Sequence, residues 1–377
     1  MTNSDLRYSE VEEDLRASVR DLLADRSDPA AVLTRCETDE PYDLDLWRRL
    51  ATDLGVAGLH VPEERGGQGA SARETAVVLE ELGRAVAPVP FLGSAVLATS
   101  ALLGGDPTTA EVADPLAALA AGSLIGTLAV PLSTAPDAPF PDTVRVDAEG
   151  RLTGRVGTVA DAVVAELLIV PAVGPDGPEL RAVDVPSDGV VVSALLALDL
   201  TRGIADVAFD GATSRRIAGP DRAANALPAA LTTAAGLLAS EQLGVAQWCL
   251  DTTVAYVRER HQFGRPIGSF QALKHRLADL WLDIVAARAA ARHAADALAT
   301  SSADVPVAVA VAAAHCSAVA VKAAEECVQL HGGIGMTWEH PAHLFLKRAK
   351  SNEIALGTPG RHRAALATLV DLPAPVR

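Results

Sequence analysis

Cysteine, aromatic side chains and surplus positive charge are all scarce in this chain of 377 residues. Its four cysteines, Cys36, Cys249, Cys316 and Cys327, contain no C-x-x-C pair. That removes the usual thiol spacing of zinc and dithiol redox sites and points to a reduced, cytoplasmic setting. Lys and Arg total 32 against 48 Asp and Glu, a formal net charge of −16. With no cationic excess to offset phosphates, nucleic acid and membrane surfaces are excluded as general partners. The stretch MTNSDLRYSEVEEDLRASVRDLL lacks a signal-like or membrane-spanning apolar run. There is no G-x-S-x-G elbow, no P-loop and no G-x-G-x-x-G following a strand. The nine histidines have no close carboxylate or thiol company; His340 and His343 flank Pro341 and read as a surface turn rather than a zinc site.

What is present is aliphatic. Hydrophobic residues make up 49% and charged ones only 21%, the composition of a compact globular chain. Aromatics are held to 3%, so packing falls to Ala, Leu and Val, which favours long helices. Asp43 to Gly55 reads as a helix with Asp43 as N-cap and Leu46, Trp47, Leu50, Ala51 and Leu54 on one stripe. Ser71 and Glu74 have capping-box spacing and open a helix that runs to Pro88. From about Gly122 to Ala218 the texture changes to short Val-rich runs broken by Pro, Gly and Asp, with a hairpin expected at Asp147 to Gly150. Long segments of helical period then return to the C-terminus. The expected architecture is mostly α with a small central β-barrel-like domain, in three parts: helical over 1–121, β over 122–222, and a helical bundle over 223–377.

Two loops concentrate polar and glycine residues. In RERHQFGRPIG, Arg258, Arg260, His261 and Arg265 surround Phe263, a set able to hold a pyrophosphate and face an aromatic ring. Alone, the loop reads better as a basic helix end with Phe263 stapled into the core. In LHGGIGMTWEHP, Gly332 and Gly333 let backbone approach something closely, with Gln329 and His331 beside them; the bland reading is a helix stop.

These segments, in GVAQWCLDTTVAYVRERHQFGRPIGSFQALKHRLADLW and CVQLHGGIGMTWEHPAHLFLKRAK, resemble the acyl-CoA dehydrogenase family in order and spacing across nearly the whole chain. The resemblance implies a three-domain subunit, assembled as a tetramer built from dimers, that uses FAD to desaturate acyl-CoA thioesters and passes electrons to electron-transfer flavoprotein. It implies that Arg260 and Phe263 reach the FAD of a neighbouring subunit, that Gln329, Gly332 and Gly333 contact the nucleotide half across the interface, and that Thr358 belongs to a cofactor-binding Gly-Thr pair.

The resemblance also implies a catalytic Glu immediately before Gly357, because the proton α to a thioester needs a carboxylate above it while the β-hydrogen leaves as hydride. Leu356 stands there. The alternative place used by some members matches Ala234 or Ala235. Glu353, three residues before Leu356, and Glu241, seven beyond Ala234, are the remaining candidates, the first beside Lys350 and the second displaced about 10 Å along its helix. A second departure is LAVPLSTAPDAPFPDTVRV, which replaces the family's Gly-Ser-Asp loop for the flavin ring with Ser133, Thr134 and four prolines. Three functions remain open: a subunit that pairs with a paralogous chain supplying the Glu, as in α2β2 members from actinobacteria; a self-sufficient homotetramer with a relocated base; and a non-catalytic assembly or ligand-binding module. Gly236 and the alanines near it are expected to leave room for a bulky, even polycyclic, acyl group.

Overall fold

The computed structural model describes residues 6–373. Among these residues eleven α-helices and ten strands fall into three blocks. The first block is helical: α1 (Glu10–Arg26), α2 (Pro29–Cys36), α3 (Leu44–Arg48), α4 (Ala72–Ala85), α5 (Thr99–Leu103) and α6 (Ala110–Ala120), with π-helical turns at Arg49–Asp53 and Leu92–Ala98. Strands β1 (Gly126–Leu128), β2 (Val144–Val146), β3 (Arg151–Ala160), β4 (Leu167–Gly174), β5 (Gly177–Asp184), β6 (Val190–Leu195), β7 (Ile204–Thr213) and β8 (Arg215–Ala218) follow. The last block holds α7 (Pro220–Glu259), the short pair β9 (His261–Gln262) and β10 (Arg265–Pro266), then α8 (Gln271–Ala299), α9 (Val305–His331), α10 (Ala342–Ile354) and α11 (Pro359–Leu369).

The local signals explain most of these boundaries. Ser71 and Glu74 form the capping box that starts α4, which ends at Val86 in a left-handed conformation, before Pro88. Asp43 accepts the N–H of Leu46 and caps α3, but the helix widens into a π-turn after one and a half turns, so the single helix expected to Gly55 is broken. Val146 pairs with Leu152 across the Asp147–Gly150 turn, as the hairpin reading requires.

The sheet runs β6-β7-β3-β2-β4-β5-β8, with β1 added on β4. Its end strands β6 and β8 are not paired with one another, so the barrel-like sheet stays open. Strand β6 is a largely solvent-facing edge, while β4 and β5 carry nearly continuous buried runs. One hydrophobic core threads both helical blocks and a second, around Val144, Leu152, Val170, Val207 and Phe209, fills the sheet. Helices α7 and α9 are apolar and long enough to cross a bilayer, yet 67% and 72% of their most apolar windows are buried inside the fold, as core helices are.

Helix α7 is the axis of the molecule. It meets α4 at backbone distance: a Cβ added to Gly244 would lie 1.9 Å from the carbonyl oxygen of Glu80, and one added to Gly83 2.1 Å from that of Glu241. Gly236 serves the same purpose. A Cβ there would stand 2.8 Å from Leu298 and 3.0 Å from Val309, so this glycine is spent on packing α7 against α8 and α9 and does not itself open room for a bulky group.

Polar contacts lock the blocks together. The Tyr42 hydroxyl donates to Asp161 at 2.6 Å, Gly203 N–H donates to the Tyr42 oxygen at 2.9 Å, and Gly93 N–H donates to Asp161 at 2.9 Å. Helix α1 docks through charge: Arg16 reaches Glu80 and Glu81 on α4, and Glu12 accepts from Arg73 and from Arg292 on α8.

Candidate cofactor site

The turn after α10 is where a base would stand, and it is closed. Leu356 sits in the left-handed region at φ 55 and Gly357 at φ 105, a conformation that costs a branched residue about 1–2 kcal/mol. Hydrogen bonds hold it there. The Leu356 N–H donates to the carbonyl of Leu132 at 2.7 Å, and the Leu132 N–H donates to the carbonyl of Thr158 at 3.0 Å. The 131–136 segment is thus stitched between β3 and the 355–358 turn. Leu356 is 1% exposed and Leu132 8%; a Cβ on Gly357 would lie 2.9 Å from Ala135. The two segments thus meet backbone to backbone at this point. His362 on α11 lies with Nε2 3.0 Å from the Leu356 carbonyl, and Thr358 spends its hydroxyl as N-cap of α11, accepting from Arg361 N–H at 3.3 Å.

Glu241 is fully committed elsewhere. It is 1% exposed and accepts from Arg202 at 2.6 Å, Arg348 at 2.9 Å and Asn352 at 2.9 Å. Arg348 also donates to Asp199 at 2.7 Å and Thr201 at 2.6 Å, and Arg202 to Asn352 at 2.7 Å. Two cations and two carboxylates neutralise each other in a buried network joining the β6–β7 connection to α7 and α10. Burial pushes the Glu241 carboxyl up, but Arg202 and Arg348 outweigh it and hold it down to about 2. A carboxylate so held is a poor proton acceptor. Glu353, on α10, is partly exposed and pairs with Lys350 at 3.4 Å. Ala234 and Ala235 are buried on α7.

The other predicted residues gather at the opposite ends of α7 and α9. Phe263 forms the tip of the β9–β10 hairpin with Gly264, at φ 55 and 75, and is 89% exposed. It is not stapled into the core. A large apolar ring held outward in a left-handed turn is strained and solvated at once, the mark of a residue that waits for something to cover it. Arg258 and Arg260 are exposed and form no ion pair among the described residues, while Arg265 lies over the Phe270 ring at 3.9 Å. Gln329, Gly332 and Gly333 are exposed at the end of α9, and a Cβ on either glycine would meet nothing within 4 Å. This open, cationic, aromatic-tipped surface suits the anionic and heteroaromatic nucleotide half of a dinucleotide.

The sequence reading missed what ties this surface together. The Tyr256 ring stacks on His331 at 4.4 Å, yet in sequence Tyr256 is one more residue on an amphipathic helix. Likewise nothing marked Arg202 and Arg348 as the partners that take Glu241 out of contention. Among the described residues no cluster of ligating side chains could hold a metal ion; His340 stands in the bend before α10, but His343 is buried inside that helix rather than in a surface turn.

Residues 9–117 match the model of the acyl-CoA dehydrogenase N-terminal domain, and residues 225–370 that of the acyl-CoA dehydrogenase C-terminal domain. The acyl-CoA dehydrogenase IpdE2 of Mycolicibacterium smegmatis is 38% identical over 93% of this chain and 96% of its own length. Among solved structures, a chain of the ChsE4-ChsE5 complex from Mycobacterium tuberculosis superposes with a TM-score of 0.86 at 30% identity, covering 98% of this chain and all of that one. A chain described as a Tcur3481-Tcur3483 steroid ACAD variant gives 0.85 at 30% identity, covering 96% and 98%.

Proposed function

The chain belongs to the acyl-CoA dehydrogenase family, and from that premise we propose that it serves FAD-dependent α,β-desaturation of an acyl-CoA thioester as the base-less member of a pair, with a paralogous chain supplying the catalytic Glu. The observation that carries this reading is the hydrogen bond from Leu356 N–H to the Leu132 carbonyl. In this reading it fills the chain's own ring position with its own backbone, and Asp137, a carboxylate near the turn, is paired with Arg361 at 2.8 Å.

FAD, when bound, supplies the two-electron acceptor for the β-hydrogen. This chain's residues do not fit the flavin ring at Leu356, but they fit the nucleotide half at the open surface. There Arg260 would meet phosphate charge, Phe263 would cover a ring face, and Gln329 with the backbone at Gly332 and Gly333 would hold the remainder. Covering Phe263 also excludes water from an aromatic side chain that is otherwise fully solvated. The α-proton goes to the partner's carboxylate, since Glu241 is held as an anion by two guanidiniums and Glu353 is turned to Lys350.

The description of one structural neighbour as the ChsE4-ChsE5 complex supports the pairing, and the steroid description of another supports a polycyclic acyl group. Expression of this chain alone, then with its paralogue, tests the reading. The isolated chain is expected to bind little FAD and to turn over no acyl-CoA, while the pair binds one FAD per two chains. Stoichiometric flavin with robust turnover in the isolated chain would overturn it.

A further inference from the structure

The two halves of the open surface end on different helices, and a column of three rings stands between them. Tyr256 is in the last turn of α7, and its carbonyl accepts the N–H of Arg260 at 2.9 Å. Its ring lies 4.4 Å from His331 with 28° between planes. His331 closes α9 immediately before Gly332, and its ring lies 4.3 Å from His340 with 35° between planes. His340 in turn accepts the N–H of Ala342, the first residue of α10, on Nδ1 at 3.2 Å. We infer that the stack of Tyr256, His331 and His340 sets the spacing between the Arg260–Phe263 hairpin and the Gly332–Gly333 turn, and that a second proton on the paired imidazoles loosens the turn and its grip on the nucleotide. This rests on the proposed function, because that reading places the nucleotide there.

The hydrogen bonds fix the neutral tautomers. A carbonyl only accepts, so the 2.7 Å contact from His331 Nδ1 to the Cys327 oxygen places the proton on Nδ1. Its Nε2 is buried and has no partner among the described residues, and the ring is 3% exposed. On His340, Nδ1 must stay bare to receive Ala342. A proton there removes an acceptor from the start of α10 and puts positive charge at a helix N-terminus.

The surrounding groups favour one proton and oppose two. From α7 the stack faces Tyr256 and, behind it, the Cys249 thiol; from α9 it faces Cys327, whose sulfur is 3.7 Å from His331 Nδ1. From α10 come His343 and Lys347, both against Trp338. Glu339, exposed, is the one carboxylate between Gly332 and Pro341. Burial works against charge on His331, but its contacts with Cys327 outweigh this and raise its proton affinity. Burial and then the charge on His331 lower that of His340, and burial, Lys347 and His340 push His343 down to about 4. A depressed histidine stabilises the folded turn above the ordinary value of 6.5 and loses that contribution as pH falls below it.

Two measurements decide the matter: histidine-ring NMR titration of the isolated chain, and FAD affinity against pH in the flavin-loaded assembly recovered through an affinity tag on this chain. His331→Asn is expected to raise the His340 midpoint by roughly 0.7 pH unit or more, the lower bound set by two unit charges about 4 Å apart in water. Tyr256→Leu, which frees His331 from its stack, serves if His331→Asn does not fold. The wild-type assembly should weaken for FAD about tenfold per pH unit once His340 titrates, and His340→Gln, whose amide oxygen still accepts from Ala342, should flatten that slope. A His340 midpoint indifferent to these changes, or an unchanged slope in His340→Gln, overturns the inference and leaves the proposed function standing. An assembly without flavin at pH 8 overturns the proposed function instead, and with it the nucleotide role of the stack.

Discussion

Leu132 and Leu356 lie 224 residues apart and share a backbone hydrogen bond of 2.7 Å. In an ordinary member of the family one of these segments would hold a flavin ring and the other a base; here each satisfies the other's peptide group. Restoring the missing carboxylate alone is therefore expected to fail. Leu356→Glu places a charge at a position 1% exposed, costing roughly 3 kcal/mol or more of stability. The isolated variant should show a lower urea midpoint and no acyl-CoA turnover; desaturation by it would mean that the closed turn opens readily.

Glu241 predicts a different phenotype, in stability. Glu241→Gln strands Arg202 and Arg348 with one anion fewer, and breaking a buried pair of this kind costs about 3 kcal/mol. The pH dependence has a definite sign. A carboxyl held down to about 2 stabilises the fold above the ordinary glutamate range, and that contribution is lost as pH falls from about 4.5 towards 2. Urea midpoints at pH 7 and pH 3 should converge for Glu241→Gln and the wild type on the acid side.

Phe263→Ala should leave the isolated chain within about 0.5 kcal/mol of wild type, since the ring is 89% exposed. In the assembled pair the same change should cost flavin affinity about fivefold to tenfold, the loss of an aromatic contact worth roughly 1 kcal/mol. Equilibrium dialysis of FAD reads this directly, and an unaltered affinity would remove Phe263 from the cofactor surface.

Glu353→Gln tests the self-sufficient alternative. With Glu353 paired to Lys350 at 3.4 Å on a partly exposed helix face, turnover of the assembled pair should stay within about twofold of wild type, the range of surface substitutions. Abolished flavin reduction with FAD still bound would return the base to this chain.

How far the sequence spoke depended on where each cause lies. Capping at Ser71 and Glu74, the Asp147–Gly150 hairpin and the three long helices follow from neighbours within a few positions, and each is seen in the fold. The exposed state of Phe263 runs against the reading of its loop alone, because a ring beside arginines serves a core or a ligand. The closed turn was harder still. Leu356 showed that a carboxylate was missing, but the stitch through Leu132 to Thr158 is made by peptide groups, which every residue carries. The open sheet, the packing role of Gly236 and the arginines around Glu241 share that character: they depend on partners dozens of residues away.

The stitch also acts as a ratchet on the chain's history. A single codon change can return an acidic residue to position 356, but it cannot return the space, because the Leu132 carbonyl and the Leu356 amide would each need a new partner in the same step. Reversion to independence thus asks for several coordinated changes, each unrewarded without the others. Under the proposed pairing, a subunit that has closed its own pocket in this way depends on its companion, and its gene has reason to travel with that of its partner.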